Sequence, residues 1–168
     1  MDDLDMDHRI VTALRACGTD PRVAGAARAL SWAGEHGALW LAAGLAGAAV
    51  DGPRRGAWLR GTALTAGAHV VSMGVKRVVR RPRPAHIVPL VRTAGRHSFP
   101  SSHATSAAAA AVAFGALGVH AVWPLAAAVC VSRLVVGVHY PSDVAAGAAL
   151  GALTARLGAD WMRGGPRD

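Results

Sequence analysis

Lysine is nearly missing from this chain. Of 18 basic residues among 168, only Lys76 is a lysine, so a net charge of +8 is carried by arginine. Such an excess suits an anionic partner: nucleic acid, anionic lipid or a phosphorylated substrate. Cysteine is almost as rare. Cys17 and Cys130 lie far apart, which excludes a disulfide framework and a thiolate metal site, and both are read as free thiols. Aromatic residues make up 5% of the chain and charged residues 17%, against 52% hydrophobic residues and a mean hydropathy of +0.31. Much of that apolar content is Ala, Gly, Val and Leu, which suits close helix packing in lipid better than a soluble core. The acidic opening "MDDLDMD" is unlike a cleavable signal peptide, which starts basic and then turns apolar. No internal repeat is present, and the one low-complexity tract is the alanine run at 107–111.

What is present is helical pattern. Residues 8–17 put Ile10, Val11, Leu14 and Cys17 on one face and His8, Arg9, Thr12 and Arg15 on the other, an amphipathic segment suited to a membrane interface. "TDPR" at 19–22 reads as a helix start, with an acceptor side chain ahead of Pro21, and helical pattern runs on to Trp32. Apolar segments follow at 37–50, 57–75, 104–119, 121–138 and 143–159. The last four run to roughly 16–19 residues, at or just under the ~20 that cross a bilayer core. A crowded soluble bundle is the alternative, but the segments leave little polar face. Trp58, Trp123 and Trp161 fall at segment ends that an alternating topology puts on one side, as an aromatic belt would. The expectation is an all-α, polytopic membrane bundle of about five transmembrane helices plus an N-terminal amphipathic interfacial helix. Residues 1–168 then form one domain, with 1–33 interfacial and 34–161 carrying the bundle and its site.

Alternation brings three polar clusters to one side. "KRVVRRPRP" (76–84) ends a helix with Lys76 and stops it with Pro82 and Pro84, so that Arg83 folds back toward Lys76. Together an ammonium and a forked guanidinium hold several oxygens of one phosphate, although a basic run beside a membrane also serves plain headgroup contact. "SFPSSHATS" (98–106) sets Ser101, Ser102 and His103 at the start of an apolar helix, where N–H groups favour an anion and where serine also simply caps. "SRLVVGVHYPSD" (132–143) buries Arg133 in an apolar run, an expensive placement without a partner. It then sets His139 four residues before Asp143. A carboxylate on one imidazole nitrogen fixes the tautomer and frees the other as base or nucleophile, and such pairs are also common as structural contacts.

Lys76 with six residues before Arg83-Pro84, then Pro100-Ser101-Ser102-His103, then Ser132-Arg133 with five residues before His139 and three before Asp143, resembles the three-part signature of the type-2 phosphatidic acid phosphatase superfamily. The middle part departs once, because the family usually has glycine where Ser102 stands. The resemblance implies a helical, metal-free membrane phosphatase that uses no cofactor. In it His139 attacks phosphorus and forms a phosphohistidine, Asp143 orients His139, and His103 protonates the leaving oxygen. Lys76, Arg83, Arg133, Ser101 and Ser102 bind the phosphate. No carboxylate cluster stands beside the two histidines to hold magnesium, which agrees. The implied partners are a membrane lipid phosphate and the bilayer, with no nucleic acid; the oligomeric state is open.

This compact Ala/Arg-rich chain resembles actinobacterial members assigned to arabinan precursor synthesis, which remove the 5-phosphate of decaprenylphosphoryl-phosphoribose. Phosphatidic acid, phosphatidylglycerophosphate and polyprenyl diphosphate are the other candidate substrates. Arginine and lysine lie mainly on the active side, nine against six once two catalytic cations are set aside, so a cytoplasmic site is expected from the positive-inside rule. Many bacterial relatives act on the outer face instead. His69 is expected to be buried and hydrogen-bonded, and His120 to lie on the wrong side. Arg96 and His97 are placed at the entrance, and Arg77, Arg80 and Arg81 at headgroups or on a solvated face. Three rival classes stand beside this reading. A vanadate haloperoxidase shares the pocket chemistry but belongs to larger soluble chains. A lipid-binding scaffold would bind without releasing phosphate, and a nucleic-acid binder would want aromatics among its arginines.

Overall fold

The computed structural model describes residues 3–93 and 95–164. Among these residues eight α-helices form: α1 (Asp3–Cys17), α2 (Pro21–Ala33), α3 (Ala38–Val50), α4 (Arg55–Val79), α5 (Ser102–Gly115), α6 (Val122–Val135), α7 (Pro141–Leu157) and α8 (Ala159–Arg163). Their ends follow local chemistry. Asp20 caps α2 by accepting from the Arg22 N–H at 2.7 Å, with Pro21 in the first turn. Ser101 caps α5 by accepting from the Ala104 N–H. α4 stops where Arg80 turns left-handed at φ 52°, before the prolines are reached.

α5 is the axis of the bundle. Ala104, Ala107, Ala109, Ala110, Ala111 and Ala113 are all buried, and the helix packs on α4, α6 and α7. Its contact with α7 is close because Gly147 and Gly151 face it. A Cβ at Gly147 would come within 2.5 Å of the Ser101 carbonyl oxygen, and one at Gly151 closer still to that of Thr105. Small residues four apart let two backbones approach in this way. Trp40, Trp58, Phe114, Val129 and Met162 fill the space between α3, α4, α5, α6 and α8.

The structure bears on three expectations here. Trp58 is buried, packs on Phe114 at a centroid distance of 5.2 Å and donates to Asp51, so it belongs to the core and not to an aromatic belt; Trp123 and Trp161 are half exposed. α3, α5, α6 and α7 are only ~20–26 Å long at 1.5 Å per residue. Among the described residues no helix is long and apolar enough to cross a membrane. Last, α1 docks on α6 and α7 through fully buried Val11 and buried Asp7, while Ile10 and Cys17 of its apolar face stay exposed. Asp7 explains the difference: a polar anchor within the bundle fixes the helix there.

Candidate active site

Five loops and helix ends converge on one cavity of about 280 Å³. Lys76 reaches it from the end of α4, Arg83 from the loop after it, Ser102 and His103 from the first turn of α5, Arg133 from α6, and His139 from the α6–α7 loop. Arg83 is aimed by two backbone carbonyls, its Nε donating to Gly95 at 2.9 Å and its Nη1 to Val138 at 2.7 Å. Arg133 is buried, donates through Nη1 to the Ser31 hydroxyl, and keeps an Nε with no partner among the described residues. His103 Nε2 lies 3.0 Å from the Ser31 carbonyl oxygen. A carbonyl only accepts, so Nε2 carries the proton there and Nδ1 is the lone-pair nitrogen.

His139 is buried, and its Nδ1 lies 3.6 Å from Asp143 Oδ2, wider than a hydrogen bond. The carboxylate is itself held on two other sides. Oδ2 accepts from the Tyr140 N–H at 2.8 Å, and Oδ1 accepts from Arg81 Nη1 at 3.0 Å. Burial drives the His139 imidazole down to about 3; Asp143 opposes that shift, and Arg133, Arg83 and Lys76 reinforce it. The ring is therefore neutral at physiological pH, the state in which a nitrogen has a lone pair to offer. The unfolded chain, with an ordinary histidine, binds more protons between about 6.5 and about 3 than the folded one. Wild type should lose stability relative to His139→Asn as pH falls through that window. Melting temperatures of the two proteins against pH check it.

Ser101 does not line the cavity. Its hydroxyl is turned to Ala104, and its N–H donates to the Asp143 carbonyl at 2.9 Å, tying α5 to α7. Arg96 and His97 are likewise away from the lining, with Arg92, Thr93 and Gly95 in their place, because His97 is paired to Pro82 through a backbone bridge. His120 lies at the α5–α6 turn, outside the cavity. Arg81, read as a headgroup contact or solvated face, is turned inward. It bridges Asp143 and, at 2.9 Å, Asp7 of α1, and its guanidinium sits 4.2 Å over the Tyr140 ring. Asp7 also accepts from the Ser142 N–H and hydroxyl. His69 does line the cavity, yet its Nδ1 has no hydrogen-bond partner among the described residues. Asp7, Ser31 and Glu35 carried no signal in the sequence: each sits in a segment far from the three clusters.

A family model described as the PAP2 superfamily matches residues 57–165. A decaprenylphosphoryl-5-phosphoribose phosphatase of Mycolicibacterium smegmatis is 46% identical over 144 residues, covering 84% of this chain and 80% of that protein. The protein of the same name from Mycobacterium tuberculosis is 42% identical over 160 residues, covering 93% and 90%. The fold is similar to the crystal structure of a transmembrane PAP2-type phosphatidylglycerolphosphate phosphatase from Bacillus subtilis, with a TM-score of 0.78 at 22% identity over 98% of this chain and 88% of that one.

Proposed function

The chain belongs to the PAP2 superfamily, and on that premise we propose that it is a metal-independent lipid phosphatase acting on decaprenylphosphoryl-5-phosphoribose. One observation carries the chemistry: Lys76, Arg83 and Arg133 line a single cavity together with His103 and His139, and Asp143 stands behind His139. Lys76, Arg83 and Arg133 hold the phosphate oxygens as charge builds on them, helped by Ser102 and the N–H groups at the start of α5. Ser101 shapes that turn from behind.

His139 faces Asp143 with Nδ1, so Nε2 attacks phosphorus. The substrate's phosphate monoanion passes its proton to the His103 Nδ1 lone pair on binding; the P–N bond then forms as the ester P–O bond breaks, and the leaving ribosyl oxygen takes that proton from His103. Water then attacks the phosphohistidine and gives a proton back to His103. The P–N bond breaks to release inorganic phosphate and restore both histidines. Asp143 orients His139 and stabilises the positive charge it gains.

The bundle is read as seated in the cell membrane, α3 to α7 being the five membrane segments and the cavity opening on the cytoplasmic side. Exposed Leu45, Val70, Val131, Leu153 and Leu157 give these helices apolar outer faces, which supports the seat. The arginine distribution supports the side. Phosphate release should be assayed on the phosphoribosyl lipid, phosphatidic acid, phosphatidylglycerophosphate and a polyprenyl diphosphate. The first should be preferred, with activity that survives EDTA and is blocked by vanadate. His139→Ala should lower turnover by at least about a thousandfold. Loss of activity on chelation would overturn the mechanism, and preference for another lipid would overturn the substrate.

A further inference from the structure

The cavity also carries polar groups that phosphoryl transfer leaves unused. Glu35 and His36 line it from the turn between α2 and α3, where left-handed His36 (φ 53°) and Gly37 (φ 74°) reverse the chain. His69 lines it from α4, seven residues before Lys76, so the two share a face about 10 Å apart along the axis. The turn lies directly over His69, since a Cβ on Gly37 would come 3.8 Å from its Nδ1. That Nδ1 is buried and unpartnered among the described residues. The Glu35 carboxylate makes no side-chain hydrogen bond or ion pair within that same set, although it lines a cavity rich in arginine.

A carboxylate only accepts hydrogen bonds, so it repels phosphate oxygens and suits a donor. Among the candidate substrates, the donors that stand beside the phosphate are hydroxyl groups. An imidazole beside it supplies a second position, able to give or take one hydrogen bond. A metal does not fit the same groups, because among the described residues no three His, Cys, Asp or Glu side chains are gathered to hold an ion.

We infer that Glu35 and His69 form a subsite for the hydroxyls of a sugar whose phosphate lies at Lys76, Arg83 and Arg133. This subsite deepens the reading above and rests on it for the identity of the sugar. His69 and Lys76 line the same cavity from one helix face, and a phosphorylated pentose is the group that bridges them there. The site therefore selects phosphosugar lipids over those whose phosphate neighbours carry no hydroxyl. Its parts lie partly outside the residues matched by the family model, because Glu35 precedes residue 57.

The test uses the full chain in mixed micelles, comparing wild type with Glu35→Gln and His69→Phe. The readout is the ratio of kcat/KM for the phosphoribosyl lipid to that for phosphatidic acid. Loss of one hydrogen bond to a charged group should lower that ratio about tenfold or more for Glu35→Gln. An unchanged ratio, whether both activities fall together or neither moves, overturns the subsite. In a second arm, ribose 5-phosphate and methyl phosphate compete against phosphatidic acid hydrolysis. Wild type should favour ribose 5-phosphate and the variants should lose that preference. If wild type leaves the phosphoribosyl lipid untouched, the substrate reading fails by itself, and this competition alone decides the subsite: equal inhibition by the two esters ends it.

Discussion

Arg81→Ala is expected to cost about 3 kcal/mol of stability and about a hundredfold in turnover. The guanidinium spans two carboxylates from opposite ends of the chain, Asp7 at 2.9 Å and Asp143 at 3.0 Å, and Asp143 is fully buried. Removing the bridge leaves both acids facing each other across the space it filled. Asp143 would then move toward whatever donor remains, and the imidazole it orients would move with it. A displacement of an ångström at a reacting nitrogen is enough for the loss in rate. Arg81→Lys should not rescue, because one ammonium cannot reproduce a two-pronged fork under the same packing on Tyr140. Thermal melts and phosphate release on the same preparations check both numbers. Wild-type behaviour of Arg81→Ala would reduce the network to a surface ion pair of little weight.

Gly151→Ala is expected to be almost as damaging, at about 3 kcal/mol, the upper end of ordinary overpacking. Its added methyl would meet the backbone of Thr105, which has no rotamer by which to yield. α5 and α7 must then separate, and these are the helices that carry His103 and Asp143. The link from the Ser101 N–H to the Asp143 carbonyl would open with them. Activity and melting temperature should therefore fall together. Gly25→Ala is the matched control: nothing lies within 4 Å of its added carbon, and an alanine inside α2 should be neutral or stabilising by up to about 1 kcal/mol. Equal melts for the two variants would show that the α5–α7 seam is looser than its backbone distances require.

Much of the site could be read along the chain because its pieces sit at helix ends, where sequence speaks clearly. Lys76 before two prolines, Ser101 before an alanine helix, and Asp143 two residues after Pro141 each announce a terminus. The apolar segments likewise marked α3 to α7 to within a few residues. What could not be read is which polar side chain turns inward. Arg77, Arg80 and Arg81 look alike in a basic run, and only the left-handed turn at Arg80 sends Arg81 toward Asp7. Ser31 and Glu35 sit beside the cavity through the packing of α2 and its turn, which no local pattern encodes. Trp58 was misplaced for a related reason, since period and position mark a helix end but not the neighbour, Phe114, that covers it.

Tyr140 is the chain's sole tyrosine, and its ring lies beneath Arg81 and stacked on His8 at 5.3 Å. A fluorotyrosine introduced biosynthetically would thus give one resonance, one residue from the nucleophile and in contact with the amino-terminal helix. Its chemical shift would register vanadate entering the pocket and that helix lifting away as two separable events.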